Sequence, residues 1–365
     1  PLPRQEPSNQ EQDIPKTITC PPLPPSEECA IYRSTHAPPE EAGPLILYGD
    51  VLAESVIYKN GGVAIGTDGK ILAVGCFTVP ADTPTYATIL SCPDHTISPG
   101  LINPHDHLSY NHNFPGGQNN NQGQSNPDYS LCNNPENAYN QARCQAYRYN
   151  RRNEWRRGLA GRAKIVAPPA PKEKKQQSKA WNELRHILAG TTTIAGSGGQ
   201  PGLARNPDRS YLMEGLTVPK GKQVDYVTFP LGDAQDIRGH EGGHCLYPEM
   251  AGPKVLDQLI FLPHVAEGID NFAHNELLCL TGQGQGASNL ESPKSSFIHA
   301  IAATPEDAQR LQQHDTTVVW SPRSNISLYG NTAPVTLYDQ LGLRLALSSD
   351  WTASGSINLF RELRC

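Results

Sequence analysis

From residue 99 onward, the chain alternates short apolar runs with amphipathic stretches, and this alternation restricts its fold more than any other feature. The apolar runs are rich in β-branched residues and are short enough to be single buried strands. Seven of them read as strands: "LINPHDH", "TTTIAG", "DYVTFPL", "QLIFLPHVAEG", "SFIHAIA", "TTVVWSP" and "LRLALSSD". Strands that alternate with helices predict an α/β fold with a parallel sheet, either closed as a barrel or open and doubly wound. An eighth strand is expected between residues 200 and 260.

Two of the intervening stretches have recognisable helix ends. "SKAWNELRHILAG" is amphipathic and has a glycine just past its last apolar residue. "TPEDAQRLQQH" starts at Thr304, and Asp307 three residues later completes a start that is similar to a capping box. Both stretches therefore predict helices that lie between strands.

Two segments of different composition precede the alternating region. Residues 45–98 hold short β-branched and aromatic runs broken by Asn-Gly, Asp-Gly and Gly-Gly, which predicts a small antiparallel β-sheet domain. Residues 1–44 are rich in Pro, Glu, Gln and Ser and predict an extended or poorly ordered leader. The expected domains are thus the leader at 1–44, the small sheet at 45–98 and the α/β region at 99–365.

The composition excludes several classes of function. The 365-residue chain has a formal net charge of −6 and is 37% hydrophobic and 18% charged, as is ordinary for a globular protein with a substantial core. A nucleic-acid-binding protein would usually show a basic face, and no run of about 18 apolar residues predicts a membrane span. The basic residues between 151 and 175 are interpreted as a solvated loop and helix start, and service to an anionic substrate stays open for the stretch 151–157. A small molecule is therefore the expected partner, and a homo-oligomer stays open.

Nine cysteines are many for a cytosolic enzyme of this length. Cys20 and Cys29 lie in the proline-rich stretch and Cys132 and Cys144 lie in a polar loop, which favours disulfides formed in an oxidising compartment. No CxxC pair suggests a zinc ribbon, and the odd count leaves one thiol over, for which Cys365 is a candidate. The chain starts at Pro1, so either a signal peptide has been removed or the sequence is a fragment. We expect a periplasmic or secreted protein, with the cytoplasm as the alternative.

Two histidines close the first apolar run of the α/β region, in "PGLINPHDHLSY". Because side chains at i and i+2 of a strand point to the same face, His105 and His107 should project together while Asp106 points away. Two imidazoles side by side at a strand's carboxyl end are suited to metal ligation, and in a β/α barrel this end carries the active site. Taken alone, the pair fits equally well two hydrogen-bonded, inert histidines in a loop.

Further polar residues close other apolar runs. His264 ends "LIFLPH", Glu267 follows it by three residues, His299 ends "SFIH" and Asp350 ends "LRLALSSD". Potential ligands and acid–base groups at the ends of several strands are typical of a barrel enzyme. Chance could place one or two such residues at strand ends. Their presence at the ends of four separate strands favours a functional site.

These residues lie in motifs that resemble a known family. "ISPGLINPHDH", "GTTTI", "PHVAEG", "IHA", "SPRSNISL" and "LSSDW", in this order, are similar to the amidohydrolase superfamily, and most of all to its branch of cytosine deaminase, triazine hydrolases and imidazolonepropionase. The resemblance covers roughly residues 45–365. It implies a (β/α)₈ TIM barrel with a small N-terminal β-sheet (sandwich) domain. In that family a further helix and more strands follow the last barrel strand, so the chain is expected to be truncated at its C-terminus.

The resemblance also implies a metal centre. The metal would be held by His105, His107, His264 and Asp350, with His299 as a further ligand or a contact to the hydrolytic water. No lysine is placed to be a carbamylated bridge between two metals, which favours one divalent transition metal. Nitrogen and oxygen ligands suit Zn, Fe, Mn or Co and do not distinguish among them. Zinc is the expected metal, with Fe, Mn or Co as alternatives. Ser321, Arg323 and Asn325 would follow the seventh strand and support the site.

The implied reaction is hydrolysis of a non-peptide C–N bond, either in a cyclic amide or by deamination of an amino-heterocycle. A metal-activated water would attack, Asp350 would accept its proton, Glu267 would relay protons to the leaving nitrogen, and His299 would stabilise developing charge. One alternative is a truncated or degenerate relative that binds metal without turnover.

A third reading comes from "GHEGGHC", in which His240, Glu241 and His244 match the H-E-x-x-H pattern of zinc metalloproteases. That pattern works only on a helix, and three neighbouring glycines disfavour one, because each costs about 1 kcal/mol in a helix interior. A loop is therefore the preferred interpretation. The Asn/Gln/Gly-rich stretch at 111–145 is either a lid over the site or disordered.

Overall fold

The computed structural model describes residues 15–22, 29–33, 43–76, 87–113, 148–162, 164–196, 198–214, 223–228, 244–245 and 252–364. The chain divides into two compact units, Pro1–Pro99 and Gly100–Cys365. The candidate lid at 111–145 lies outside the described residues except for its first three, and so do His240 and Glu241. Among the described helices, none is long and apolar enough to cross a membrane.

The first unit contains a six-stranded sheet in the order β1-β4-β3-β6-β2, with β5 paired to β4. Its strands are β1 Lys16–Thr19, β2 Ala30–Arg33, β3 Leu45–Leu52, β4 Val56–Ile65, β5 Ile71–Gly75 and β6 Thr88–Ile97. The sheet is mixed rather than antiparallel as predicted, because β1 pairs with β4 and β3 pairs with β6 in parallel.

Within residues 1–44, the described segments 15–22 and 29–33 contain β1 and β2, which are strands of this sheet. Two disulfides join these segments to the rest of the unit, Cys20–Cys76 and Cys29–Cys92. A disulfide that closes a long loop restricts the unfolded chain and so favours the folded one. Short proline-flanked strands can therefore be held on the sheet although their local composition does not indicate it.

The second unit is built on parallel strands. Five of them form a sheet in the order β13-β12-β11-β10-β9, and two form the pair β7-β8. They are β7 Leu101–Asn103, β8 Thr191–Ile194, β9 Gln223–Val227, β10 Leu259–Val265, β11 Ser296–His299, β12 Thr317–Trp320 and β13 Leu345–Leu347. All seven predicted strands are thus present, and the α/β class with a parallel sheet is confirmed.

The described strands do not form one continuous closed sheet. Isolated parallel bridges continue the pairing beyond the two sheets, from Asp106 to Asp350 and from Thr193 to Arg205. The segment at Arg205 lies where the eighth strand was expected, and the Val224 amide donates to the Pro207 carbonyl beyond it. The eighth strand is therefore reduced to a short extended segment in the described residues.

Seven of the eight described helices of this unit lie between strands, as the alternation predicted, and the last follows β13. They are α1 Arg152–Arg157, α2 Lys175–Ile187, α3 Val255–Gln258, α4 Asn271–Leu280, α5 Pro305–Gln313, α6 Pro322–Tyr329, α7 Val335–Gln340 and α8 Leu359–Leu363. The capping box predicted for α5 is present, because Thr304 Oγ1 accepts from the Asp307 amide and the Asp307 carboxylate accepts from the Thr304 amide.

Strand alternation divides the buried side chains of the five-stranded sheet between its two faces. Phe261 and Val318 pack into the larger apolar cluster, with residues of α4 and α5. Leu262 and Ile298 belong to a smaller cluster on the other face. His264 lies two residues after Leu262 and so shares its face. The sheet therefore presents His264 on the face opposite the helices.

Candidate metal centre

His105 and His107 follow β7, and their ring nitrogens converge. Their Nε2 atoms are 3.3 Å apart. Asp106 between them points to the other side, where its carboxylate accepts from Asn103 Nδ2 at 3.1 Å and lies 3.1 Å from His186 Nε2. The alternation predicted from the sequence thus holds, although the strand itself ends at Asn103.

His264, His299 and Asp350 lie at the carboxyl ends of three other strands and meet the first two histidines. His264 Nε2 is 3.0 Å from His105 Nε2, and the nitrogens of His105, His264 and His299 all lie within 4.8 Å of one another. Asp350 Oδ1 is 3.3 Å from His105 Nε2 and 3.5 Å from His107 Nε2. The structure therefore brings together all five residues that the sequence suggested as ligands.

The backbone at two of these residues has an uncommon conformation. His299 has φ 76° and Asp350 has φ 55°, and both values lie in the left-handed region that non-glycine residues seldom adopt. Such strain is maintained only where the surroundings enforce it, and it concentrates at functional sites. Here the Asp350 amide donates to the His105 carbonyl at 3.1 Å, which holds the two residues side by side.

Hydrogen bonds on the far side of the rings orient the inward-facing nitrogens. His264 Nδ1 donates to the Val227 carbonyl at 3.2 Å, and His299 Nδ1 donates to Asn325 Oδ1 at 3.0 Å. Because each acceptor requires a proton on Nδ1, the Nε2 lone pair faces the centre. His105 Nδ1 lies 3.0 Å from Ser321 Oγ.

Of the three residues expected to support the site, Ser321 and Asn325 are therefore in contact with it. Arg323 is not, because its side chain contacts Ser356 and Glu362 instead. Ser321 and Asn325 are four residues apart and so lie on the same face of the helix, whereas Arg323 is two residues from each and points to the other side.

Burial keeps the four imidazoles neutral. Desolvation lowers the pKa of His107 to about 4 and that of His299 to about 3, and it lowers the pKa of His105 and of His264 well below the usual value. Neutral imidazoles offer lone pairs, as metal ligation requires. The donor set is thus four imidazole nitrogens and one carboxylate, a combination suited to a divalent transition metal.

The two carboxyl groups of the site are buried among different partners. Burial, with the nearby charge of Glu267, raises the pKa of Asp350 well above its usual value, and Ser324 Oγ donates to Asp350 Oδ2 at 2.5 Å. Burial also raises the pKa of Glu267, while the charge of Arg152 opposes that rise. A carboxyl group with a raised pKa holds a proton more readily than an ordinary one, which suits it to proton transfer.

Glu267 is held by residues that the sequence did not single out. Tyr329 donates to Glu267 Oε1 at 2.8 Å, and Arg152 Nη1 lies 3.6 Å from Glu267 Oε2. Arg152 Nη2 in turn donates to Glu276 on α4 at 2.8 Å. No local pattern marks these residues, because Tyr329 looks like a core residue of α6 and Arg152 like part of a solvated basic run.

His244 does not join the five-residue cluster. Its backbone forms an isolated parallel bridge with Gln285, and its side chain is exposed. An extended backbone at His244 differs from the helix on which an H-E-x-x-H site depends. His240 and Glu241, the other two residues of that pattern, lie outside the described residues.

Known proteins resemble this chain in part of its sequence and in its fold. No protein-family model matches the chain. A 5-methylthioadenosine/S-adenosylhomocysteine deaminase of Teredinibacter turnerae is 27% identical over an alignment of 176 residues, and the match covers 44% of this chain. The match spans 36% of that relative's length, about a third of it.

A solved structure shows the same fold. The guanine deaminase of C. acetobutylicum, crystallised with guanine in its active site, superposes with a TM-score of 0.50 at 17% identity, over 88% of this chain and 78% of that one. The ordered motifs, the sequence match to a deaminase and the shared fold support the resemblance of this chain to the amidohydrolase superfamily.

Proposed function

We propose that this chain is a metal-dependent hydrolase of a non-peptide C–N bond, acting on a cyclic amide or deaminating an amino-heterocycle. The observation that carries the proposal is the convergence of four neutral imidazoles and one carboxylate, in two groups of ligand atoms that share His105. The closest contacts among the ligand atoms of His105, His107, His264 and Asp350 are 3.0 to 3.5 Å. Two ligands of one tetrahedral zinc ion are separated by about 3.3 Å, so the spacing supports one metal.

Zinc is the proposed metal, with Fe, Mn or Co as alternatives. His105, His107, His264 and Asp350 would hold it, and His299 would be a fifth ligand or face the reacting atoms. A divalent metal at this point would supply a water molecule of lowered pKa and would polarise the bond to be cleaved.

The chain's own carboxyl groups would move the protons. Asp350, whose pKa is raised by burial, accepts a proton from the attacking water and orients it. Glu267 carries a proton to the leaving nitrogen, and Tyr329 and Arg152 hold its two oxygens in place. His299, held by Asn325, faces Glu267 with its Nε2 at 3.8 Å and stabilises charge that develops between them.

We also infer that the second unit is a (β/α)₈ barrel. The parallel bridges from Asp106 to Asp350 and from Thr193 to Arg205, and the hydrogen bond from Val224 to Pro207, support a ring of strands. In such a ring the carboxyl ends of the strands surround one site.

An oxidising compartment, periplasmic or extracellular, is proposed as the place of action. Three disulfides support it among the described residues: Cys20–Cys76, Cys29–Cys92 and Cys245–Cys279. Three disulfides in one chain are rare in compartments that keep thiols reduced, such as the cytosol.

Metal content of the purified chain, measured by mass spectrometry, tests the proposal. We expect about one transition metal per chain, lost in His105→Ala and in His264→Ala. His314→Ala is the matched control, because His314 is an exposed imidazole outside the cluster. A folded wild-type chain that holds no metal would overturn the proposal.

Ammonia release and ring opening are then measured over a panel of amino-heterocycles and cyclic amides. Turnover that Asp350→Asn abolishes would support the hydrolase. Metal without turnover across the panel would favour the degenerate relative. Peptidase activity lost in Glu241→Gln and kept in Asp350→Asn would favour the zinc metalloprotease instead.

A further inference from the structure

The carboxylate of Asp106 stands between two proposed metal ligands in the sequence, although it is not one of the ligands itself. Its side chain is fully buried. A carboxylate is costly to remove from water unless hydrogen bonds compensate it, whereas an apolar side chain would fill the same space without that cost. The buried carboxylate at this position is therefore expected to have a role that an apolar residue could not perform.

Both oxygens of this carboxylate accept hydrogen bonds. Oδ1 accepts from Asn111 Nδ2 at 2.5 Å. Oδ2 accepts from Asn103 Nδ2 at 3.1 Å and from Ser349 Oγ at 2.8 Å, and His186 Nε2 lies 3.1 Å from it. Because hydrogen bonds are directional, these contacts fix the rotation of the carboxylate as well as its position.

Two of these partners also join the first strand of the second unit to the last. Asn103 is the final residue of β7, and Ser349 follows β13. Asn103 Nδ2 donates to Ser349 Oγ at 2.7 Å, and the Ser349 amide donates to Asn103 Oδ1 at 3.3 Å. The next residue, Asp350, donates its amide to the His105 carbonyl at 3.1 Å. The Asp106 carboxylate therefore completes a set of hydrogen bonds between the segments that carry Asp350 and the two histidines.

The backbone of Asp106 is held by two other strand ends. Its amide donates to the Ala195 carbonyl at 2.9 Å, and its carbonyl accepts from the Tyr226 hydroxyl at 2.9 Å. Gly196 allows the close packing here, because a Cβ there would lie 2.4 Å from the Asp106 carbonyl oxygen. The backbone and the side chain of Asp106 together therefore fix the directions in which the two neighbouring histidines leave the chain.

We propose that Asp106 is a positioning residue of the metal centre, whose carboxylate sets the relative placement of His105, His107 and Asp350. The inference rests on the proposed function and adds a residue to the machinery of that site. Metal ligands must be held within about 0.5 Å of their productive geometry, and hydrogen bonds from the surrounding residues supply that precision. Asp106 acts through its two neighbours in the chain and through Ser349, which precedes the third ligand.

Asp106→Asn keeps the size of the side chain and replaces one acceptor oxygen by an amide nitrogen. In either orientation, the new amide hydrogens point at a donor, which is Asn103 Nδ2 or Asn111 Nδ2. We therefore expect the affinity for zinc, measured by competition with a chelator, to fall about tenfold. Ser349→Ala removes a single donor to the carboxylate and should lower the affinity by less.

The absorption spectrum of the cobalt-loaded protein separates positioning from a general loss of stability. Cobalt accepts the same nitrogen and oxygen ligands as zinc, and its absorption bands change with the arrangement of those ligands. We expect the bands of Asp106→Asn to be shifted from those of wild type.

Thr316→Val is the matched control. Thr316 is buried, and its Oγ1 accepts from the Ser292 amide at 2.9 Å. It directly precedes β12, at the end of that strand opposite to Ser321 and the site. The variant should lose stability in denaturant while it keeps the zinc affinity and the cobalt spectrum of wild type.

The proposal is overturned if wild type binds zinc and Asp106→Asn keeps either its affinity or its cobalt spectrum. It is also overturned if Thr316→Val changes both as much as Asp106→Asn does, because the effect would then follow from stability alone. If Asp106→Asn does not fold, Ser349→Ala is judged by the same two measurements. Failure of the hydrolase proposal is read from wild type alone, and a wild type that binds neither metal would overturn both proposals.

Discussion

Tyr329 donates a 2.8 Å hydrogen bond to Oε1 of Glu267 across the buried edge of the candidate site. The same hydroxyl accepts from Trp155 Nε1 at 2.8 Å. The Tyr329 phenol thus contacts two groups. One is the Glu267 carboxyl group, which is proposed to carry protons, and the other is the Trp155 indole. Its removal should affect both.

Tyr329→Phe should lose turnover while it keeps the metal, because Glu267 loses the group that orients it and the metal ligands are untouched. It should also cost about 1 to 3 kcal/mol of unfolding free energy, since the buried Trp155 N–H is left without its acceptor. Activity, metal content and denaturant unfolding are measured together. Tyr211→Phe is the control, since Tyr211 is 77% exposed. Unchanged turnover in Tyr329→Phe would contradict the role given to Glu267.

Asn325→Ala should weaken metal retention by about 10- to 100-fold, the range found when a partner of a ligating histidine is removed. The amide oxygen of Asn325 accepts from His299 Nδ1 and so directs the Nε2 lone pair inward. Competition with a chelator measures the change. Asn331→Ala removes an exposed amide outside the site and should retain metal as wild type does. Equal retention in both variants would show that His299 is not a ligand.

The positions of the five candidate ligands were predictable from the sequence. Each follows a short apolar run, and parallel strands bring their carboxyl ends to one edge. The alternation that put His105 and His107 together and Asp106 apart is a local property of extended chain. The capping box at Thr304 was predictable for the same reason, because both partners lie within four residues.

Contacts between distant segments could not be predicted in this way. Tyr329 is 62 residues from Glu267, and Arg152 is 124 residues from Glu276. Neither pair has a local pattern, and the basic run that holds Arg152 is typical of a solvated surface. The strand Lys16–Thr19 was missed because its pairing with β4 depends on a partner 40 residues away, at Val56.

Replacing both Cys245 and Cys279 by alanine should cost about 3 to 4 kcal/mol, because their disulfide closes a loop of 34 residues. Cys279 lies on α4, the helix that also carries Glu276. Denaturant unfolding of the oxidised protein measures the loss. The variant should also respond less to a reductant than wild type does. Equal stability of the two proteins would mean that this bridge is not formed, and would weaken the proposal of an oxidising compartment.

His274 and Asp307 should make stability depend on pH in a definite direction. Their side chains lie 2.7 Å apart. The hydrogen bond with Asp307 raises the pKa of His274 above its usual 6.5. Burial alone would raise the pKa of Asp307, but hydrogen bonds from His274 and Thr304 bring it below its usual 3.8.

A raised histidine pKa contributes stability that is complete below pH 6.5 and is lost as the pH rises through the folded-state value. A lowered aspartate pKa contributes stability that is present above pH 3.8 and is lost as the pH falls through its folded-state value. The pair should therefore stabilise the fold most between these two values. His274→Gln should lower the melting temperature by about 1 to 3 °C at pH 5.5, the size expected for a partly exposed ion pair, and by less at pH 9. His314→Gln controls for the loss of an exposed imidazole. A deficit in His274→Gln that grows from pH 5.5 to pH 9 would show that the imidazole is bound in its neutral form.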